Sequence, residues 1–226
     1  MLENILPYER KLFFLINGSH SDFIDSFMWL YSGYWIWILP ILFLIAALVY
    51  KKKKEEWIPA IATILILFFV CNVFSGLICK PLFTRFRPTH HPDFMEQVRT
   101  LYEYRGRLYG FISGHSTSSF GFVTLTALMF RNRNYTFMIT IWGLLMVYSR
   151  VYLGVHFISD IVAGTLSGII IGLIVFHFYK KYITNHSKEK YKPVYSTKRT
   201  NIITAVIGGY ILLFALLSGP LVSLFY

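Results

Sequence analysis

Residues 57–88 read WIPAIATILILFFVCNVFSGLICKPLFTRFRP, and this stretch decides the fold. From Trp57 to Cys79 there is no charged side chain; then Lys80, Arg85 and Arg87 follow in quick succession, and Pro88 closes the run. An apolar run of this length suits a helix crossing a hydrocarbon layer about 30 Å thick, at a rise of about 1.5 Å per residue. The cations mark one membrane boundary.

Five more blocks share the apolar character, at residues 26–49, 113–130, 135–153, 157–179 and 201–224. The expected fold is therefore all-α, a polytopic membrane helix bundle of about six transmembrane helices. Composition agrees, because 55% of the 226 residues are hydrophobic and only 15% are charged. Ahead of the first block, ERKLFFLING (9–18) is too short to cross and reads as an amphipathic helix lying at the interface. No repeat, low-complexity tract or composition shift divides the chain, so residues 1–226 form one expected domain. The amino terminus opens with acid rather than base and has no small-residue cleavage site, so a cleaved signal peptide is not expected.

The formal net charge of +11 would suit a nucleic-acid binder if the cations formed one patch. They do not. The breaks at 51–56, 131–134 and 180–200 hold 13 of the 22 lysines and arginines. These breaks alternate along the chain, as loops on one cytoplasmic face must. The intervening segments face outward, yet the outer loop 80–112 carries Lys80, Arg85, Arg87, Arg99, Arg105 and Arg107. A local breach of the charge rule suggests function. Cys71 and Cys79 share one apolar block and are read as small hydrophobes rather than a disulfide.

Three short stretches meet at that outer face: KPLFTRFRP (80–88), ISGH (112–115) and SRVYLGVHFISD (149–160). Lys80, Arg87 and Arg150, with Ser113 and Gly114 at a helix start, are the components of an oxyanion site. Phosphate is the anion that best matches forked arginine donors. His156 and Asp160 are four apart, so the carboxylate can hold one ring nitrogen and leave the other free to attack. His115, opening another helix, can protonate a departing alkoxide. The chemistry suggested is phosphoryl transfer through a phosphohistidine, with no metal and no other cofactor.

These residues resemble the three signature motifs of the type 2 phosphatidic acid phosphatase superfamily, also called lipid phosphate phosphatases: K-x6-R-P, P-S-G-H and S-R-x5-H-x3-D. Lys80, Arg87 and Pro88 match the first, and Ser149, Arg150, His156 and Asp160 match the third. The second departs at Ile112, where the family pattern has proline. The resemblance implies an outward-facing, metal-independent phosphatase on a six-helix core. It implies phosphate binding by Lys80, Arg87, Ser113, Gly114 and Arg150, leaving-group protonation by His115, and a nucleophile pair of His156 and Asp160. The motifs cover residues 80–160.

Each motif alone has a plainer reading, as a solvated loop or a structural hydrogen-bonded pair; their joint occurrence on one membrane face favours function. Gly164, Gly168 and Gly172, at four-residue steps, read as a close helix contact. His20, His177 and His186 have no partner pattern, and His90 and His91 read as loop residues. The expected substrate is a membrane lipid phosphate whose chains stay in the bilayer, with undecaprenyl pyrophosphate favoured over lipid A phosphate and phosphatidylglycerophosphate. The expected location is a bacterial inner membrane with the site facing the periplasm. A lipid phosphotransferase is the alternative within the chemistry. An anion transporter or channel is the alternative of another class, and it would spread polar residues through the depth of several spans. The loop 89–111 is expected to set the substrate. The sequence carries no signal for oligomeric state.

Overall fold

The computed structural model describes residues 6–187, 193 and 195–223. Part of the basic break 180–200, and residue 224 of the last apolar block, lie outside these. Nine α-helices follow one another among the described residues: α1 (Leu6–Asn17), α2 (Asp22–Tyr31), α3 (Ile38–Val49), α4 (Lys54–Asn72), α5 (Lys80–Phe83), α6 (Gly114–Phe130), α7 (Arg133–Tyr152), α8 (Ile158–Ser187) and α9 (Thr197–Val222). No strand forms among them; Phe86 and Tyr109 make an isolated antiparallel bridge across the outer loop. The all-α membrane bundle expected from the apolar blocks is the architecture observed.

The apolar blocks differ in how fully their helices meet the length and apolarity of a crossing. Three helical stretches, Lys54–Phe83, Ile158–His186 and Thr197–Val222, are long and apolar enough to cross a membrane alone, and a fourth qualifies if α2 and α3 count as one bent span. Block 26–49 breaks at Ser32–Gly33, where α2 ends, and the chain turns by 70° before α3. α6 has only 17 residues and opens on Ser116, Thr117, Ser118 and Ser119. α7 has arginine near both ends, Arg133 and Arg150. Three of the helices, or four with the bent pair, thus meet the criterion of length and apolarity by themselves.

The stretch that opened the reading is a continuous helix with an irregular middle. A wide π turn over Val73–Cys79 joins α4 to α5, and Thr84 in the left-handed region (φ 43°) ends it. Such turns offset the register of the following residues and recur at functional sites. α6 is capped by Ser113, whose hydroxyl accepts from Ser116 N, and α7 by Asn132, whose side chain accepts from Tyr135 N.

The centre of the bundle is the contact between α6 and α8, made through the glycine stripe. A Cβ at Gly168 would lie 2.3 Å from Thr117 O, and one at Gly164 would lie 2.7 Å from Ser113 O. Bare backbone here lets the two helices approach closely, as expected from the four-residue step. α1 does not simply rest on the surface: Glu9, Phe13 and Asn17 are buried, and Phe13 packs on Phe157 with centroids 5.5 Å apart. Asn17 donates to Arg99 O and Tyr152 O, at 2.9 Å each, and accepts from Arg99 N. One side chain thus ties α1, the outer loop and the end of α7 together. Cys71 and Cys79 are free and buried.

Gly168→Ala should lower thermal stability in detergent by about 1–3 kcal/mol, because the backbone it meets cannot yield cheaply. Gly209→Ala, where nothing lies within 4 Å of the added carbon, should melt like the parent.

Candidate active site

The site forms where four helix ends meet: the carboxyl ends of α5 and α7 and the amino ends of α6 and α8. Its geometry begins with the start of α8. Asp160 is the third helical residue, and its Oδ2 accepts from the backbone N–H of Phe157 at 3.0 Å, as one half of a capping box does. The same oxygen lies 3.3 Å from His156 Nδ1. His156 therefore precedes the helix instead of sharing its face, and the four-residue spacing works through the reach-back of the carboxylate. Gly154, with φ +72°, makes the turn from α7.

Arg87 settles the tautomer. Its Nη1 lies 3.0 Å from His156 Nε2 and 2.9 Å from Val155 O. A guanidinium can only donate, so Nε2 carries the lone pair and Nδ1 carries the proton facing Asp160. His156 and Asp160 are fully buried, with 1% and 0% exposure. Burial, then the charges of Arg87, Arg150 and Lys80, hold the His156 imidazole well below the usual histidine range. Burial and the nearby Arg150 bring Arg87 down to about 10, which leaves it cationic at neutral pH.

The other expected residues converge on this pair. Ser113 N donates to Asp160 O at 3.1 Å, joining the start of α6 to the first turn of α8. A Cβ on Gly114 would lie 3.2 Å from Ser75 Oγ and 3.9 Å from Lys80 Nζ, so the first residue of α6 sits beside the lysine that ends the π turn. Arg150, in the last turn of α7 where cations suit the helix dipole, donates to Ser32 Oγ and, at 2.9 Å, to Tyr104 Oη. His115 faces the Tyr34 ring at 5.4 Å. Four buried polar atoms here have no partner among the described residues: Arg87 Nε, Arg150 Nε, His115 Nε2 and Ser116 Oγ. Buried donors are rarely left unpaired, and three of these belong to residues expected to meet phosphate or the leaving group.

Several neighbours were not foreseen. Arg85 Nη1 donates to Asp160 Oδ1 at 2.8 Å and to Ser159 Oγ at 2.6 Å, while its Nη2 pairs with Glu9. Burial works against the Arg85 charge, but Asp160 and Glu9 hold its pKa above the ordinary value. Ser32 comes from the break between α2 and α3, and Tyr104 from the outer loop. Arg85 had a signal, as one of six basic residues against the charge rule; Glu9, on a helix read as interfacial, had none. Ile112 follows a cis peptide bond and is buried with Phe111 and Cys79. His20 also has partners, lying 3.2 Å from both Asp25 and Arg99, away from this cluster. The outer loop is anchored there through an ion pair between Arg99 and Asp25.

A helical membrane bundle that gathers a histidine–carboxylate pair and three cations at one end has the layout of a membrane phosphatase. The chain belongs to the PAP2 superfamily, whose model matches residues 56–184, and it is a phosphatase hydrolase. It is 43% identical over 190 residues to the lipid A 4'-phosphatase of Porphyromonas gingivalis, covering 83% of this chain and 78% of that one. It is 26% identical over 170 residues to the undecaprenyl-diphosphatase BcrC of Bacillus subtilis, covering 74% and 82% respectively. Among solved structures, Aquifex aeolicus LpxE superposes with a TM-score of 0.58 at 24% identity, covering 75% of this chain and 95% of that one, a likeness of fold.

A lowered imidazole pKa keeps His156 neutral as the pH falls, so the attack expected of it should persist on the acid side. With an aryl phosphate, whose leaving group needs no proton, kcat/KM should show no loss attributable to His156 between pH 7 and the ordinary histidine value of 6.5. A decline setting in above pH 6.5 would show that the imidazole is not depressed.

Proposed function

We propose that this phosphatase removes a phosphate monoester from lipid A at the outer face of a bacterial inner membrane, with His156 as the nucleophile. The observation that carries the mechanism is the arrangement around His156: the ring is held through Nδ1–H by Asp160, and its Nε2 lone pair points at Arg87. An arriving phosphate takes Arg87 as a donor partner, which releases Nε2 for in-line attack on phosphorus. Lys80, Arg87, Arg150 and the first N–H groups of α6 bind the equatorial oxygens, supplying the positive charge that phosphoryl transfer requires. Burial and then Arg150, Arg87 and Lys80 hold the His115 imidazole well below the usual histidine range, so it takes up its proton only as the arriving phosphate offsets those cations; the phosphorus–oxygen bond to the sugar then breaks and that proton goes to the departing oxygen. Water then attacks the phosphohistidine and gives its proton to His115, and inorganic phosphate leaves with His156 restored.

Lipid A is preferred because the relative at 43% identity bears that substrate in its name, while the relative named for undecaprenyl diphosphate stands at 26%. This revises the preference for undecaprenyl pyrophosphate, which rested on family analogy alone. The outward orientation is supported by the clusters Lys51–Lys54 and Arg131–Arg133, which lie at the helix ends opposite the site. Concentration of polar residues at that one end favours hydrolysis over ion conduction.

Purified protein should release phosphate from lipid A bearing a 4'-phosphate faster than from undecaprenyl pyrophosphate or phosphatidylglycerophosphate. His156→Ala should lose more than about 1,000-fold in kcat. His115→Ala should lose on the order of 100-fold with lipid substrates and much less with an aryl phosphate. Faster turnover of the undecaprenyl lipid would return the assignment to carrier-lipid recycling, and near-normal release by His156→Ala would remove it as nucleophile.

A further inference from the structure

Arg85 stands at a position the K-x6-R-P motif leaves open, and Glu9 lies outside all three motifs, yet both touch the catalytic pair or its support. Asp160 uses Oδ2 for His156 and Phe157 N, so its second oxygen fixes the plane of the carboxylate. That oxygen accepts from Arg85 Nη1 at 2.8 Å. Arg85 is clamped in turn: its other nitrogen pairs with Glu9, and its guanidinium lies 4.5 Å from the centre of the Phe157 ring. Glu9 Oε2 accepts from Ser159 N at 2.9 Å, so the same carboxylate occupies the amino end of α8. All three charged groups are buried.

The charges add up in a particular way. Arg85 with Asp160 alone would be a neutral pair, and His156 would face three cations with no net negative charge behind it. Glu9 brings the cluster to one net negative charge. An imidazole that attacks phosphorus gains positive charge while Nδ1 keeps its proton, so negative charge behind Nδ1 is most valuable as the bond forms. Glu9 also keeps a fourth cation, Arg85, from swinging toward bound phosphate.

We propose that Glu9 and Arg85 are positioning residues for the phosphoryl-transfer step, and that the amino-terminal helix is thereby part of the catalytic apparatus. The proposal rests on His156 acting as nucleophile, as set out above. It separates the four arginine and lysine charges nearest the pair into two kinds. Lys80, Arg87 and Arg150 face the phosphate, whereas Arg85 is spent on orienting Asp160.

The test uses the full chain in detergent micelles, with whichever of the three lipids the wild type cleaves fastest. Single-turnover phosphoenzyme formation and competitive inhibition by inorganic phosphate, a ground-state ligand of the cations, are measured for the wild type, Glu9→Gln, Glu9→Asp and Arg85→Lys. Glu9→Gln should slow phosphoenzyme formation on the order of 10-fold, as loss of partners that orient functional imidazoles does. Its inhibition constant for inorganic phosphate should stay within about twofold of wild type, because only the transition state draws on the charge behind Nδ1. Glu9→Asp, which keeps the charge, should recover part of the rate. Should Glu9→Gln fail to fold, Arg85→Lys carries the same comparison, with the rate again falling and phosphate binding held. Wild-type rate in either folded variant, or rate and phosphate binding lost together, would overturn the positioning role. A wild type that forms no phosphoenzyme on any of the lipids would overturn the parent reading instead, and this inference with it.

Discussion

A single buried carboxylate organises this site. Asp160 accepts from the imidazole of His156, the backbone N–H of Phe157 and the guanidinium of Arg85. Its own backbone carbonyl receives Ser113 N at the head of α6. An unpaired charge at this depth would be costly, and stripping one partner from a buried ion pair typically costs about 3–5 kcal/mol. Every element that completes the carboxylate is therefore held in place by it, including α1 through Glu9.

The bundle is shaped to make that meeting possible. Bare backbone at Gly164 and Gly168 lets α8 lie against α6 closely enough for the heads of the two helices to share a hydrogen bond. The π turn delivers Lys80 beside Gly114, and the break after α2 delivers Ser32 to Arg150. Irregular backbone thus shapes the site end of the bundle. Protein groups satisfy part of it there, as Arg87 does for Val155 O, while the apolar lengths beyond remain helical. A substrate with chains in the bilayer and phosphate at its edge reaches such a site without leaving the membrane.

Much of this was legible because the informative residues are local in sequence. Lys80 with Arg87, Ser113 with His115, and Arg150 with His156 and Asp160 each fall within a dozen residues, and the apolar blocks set the helices between them. What was missed depends on distance or on a fine break. Glu9 is about 150 residues from Ser159 in the chain and sits on a helix whose pattern fits an interfacial role equally well. The interruption at Ser32–Gly33 hides inside an apolar block, so a helix pair bent by 70° read as one straight helix. The outer loop has little regular structure of its own. Its path is set by Asn17 and by the Arg99–Asp25 pair, contacts no local pattern announces.

The central claim is that phosphate passes through His156, and the most direct measurement is to trap it there. Enzyme mixed with substrate labelled in the transferred phosphate is quenched in base, digested and mapped. A phosphopeptide spanning residues 149–160, stable to base, labile to acid and with the label on His156, is the result this account predicts. Label on His115, or turnover with no covalent phosphoenzyme at any time of quenching, would contradict it.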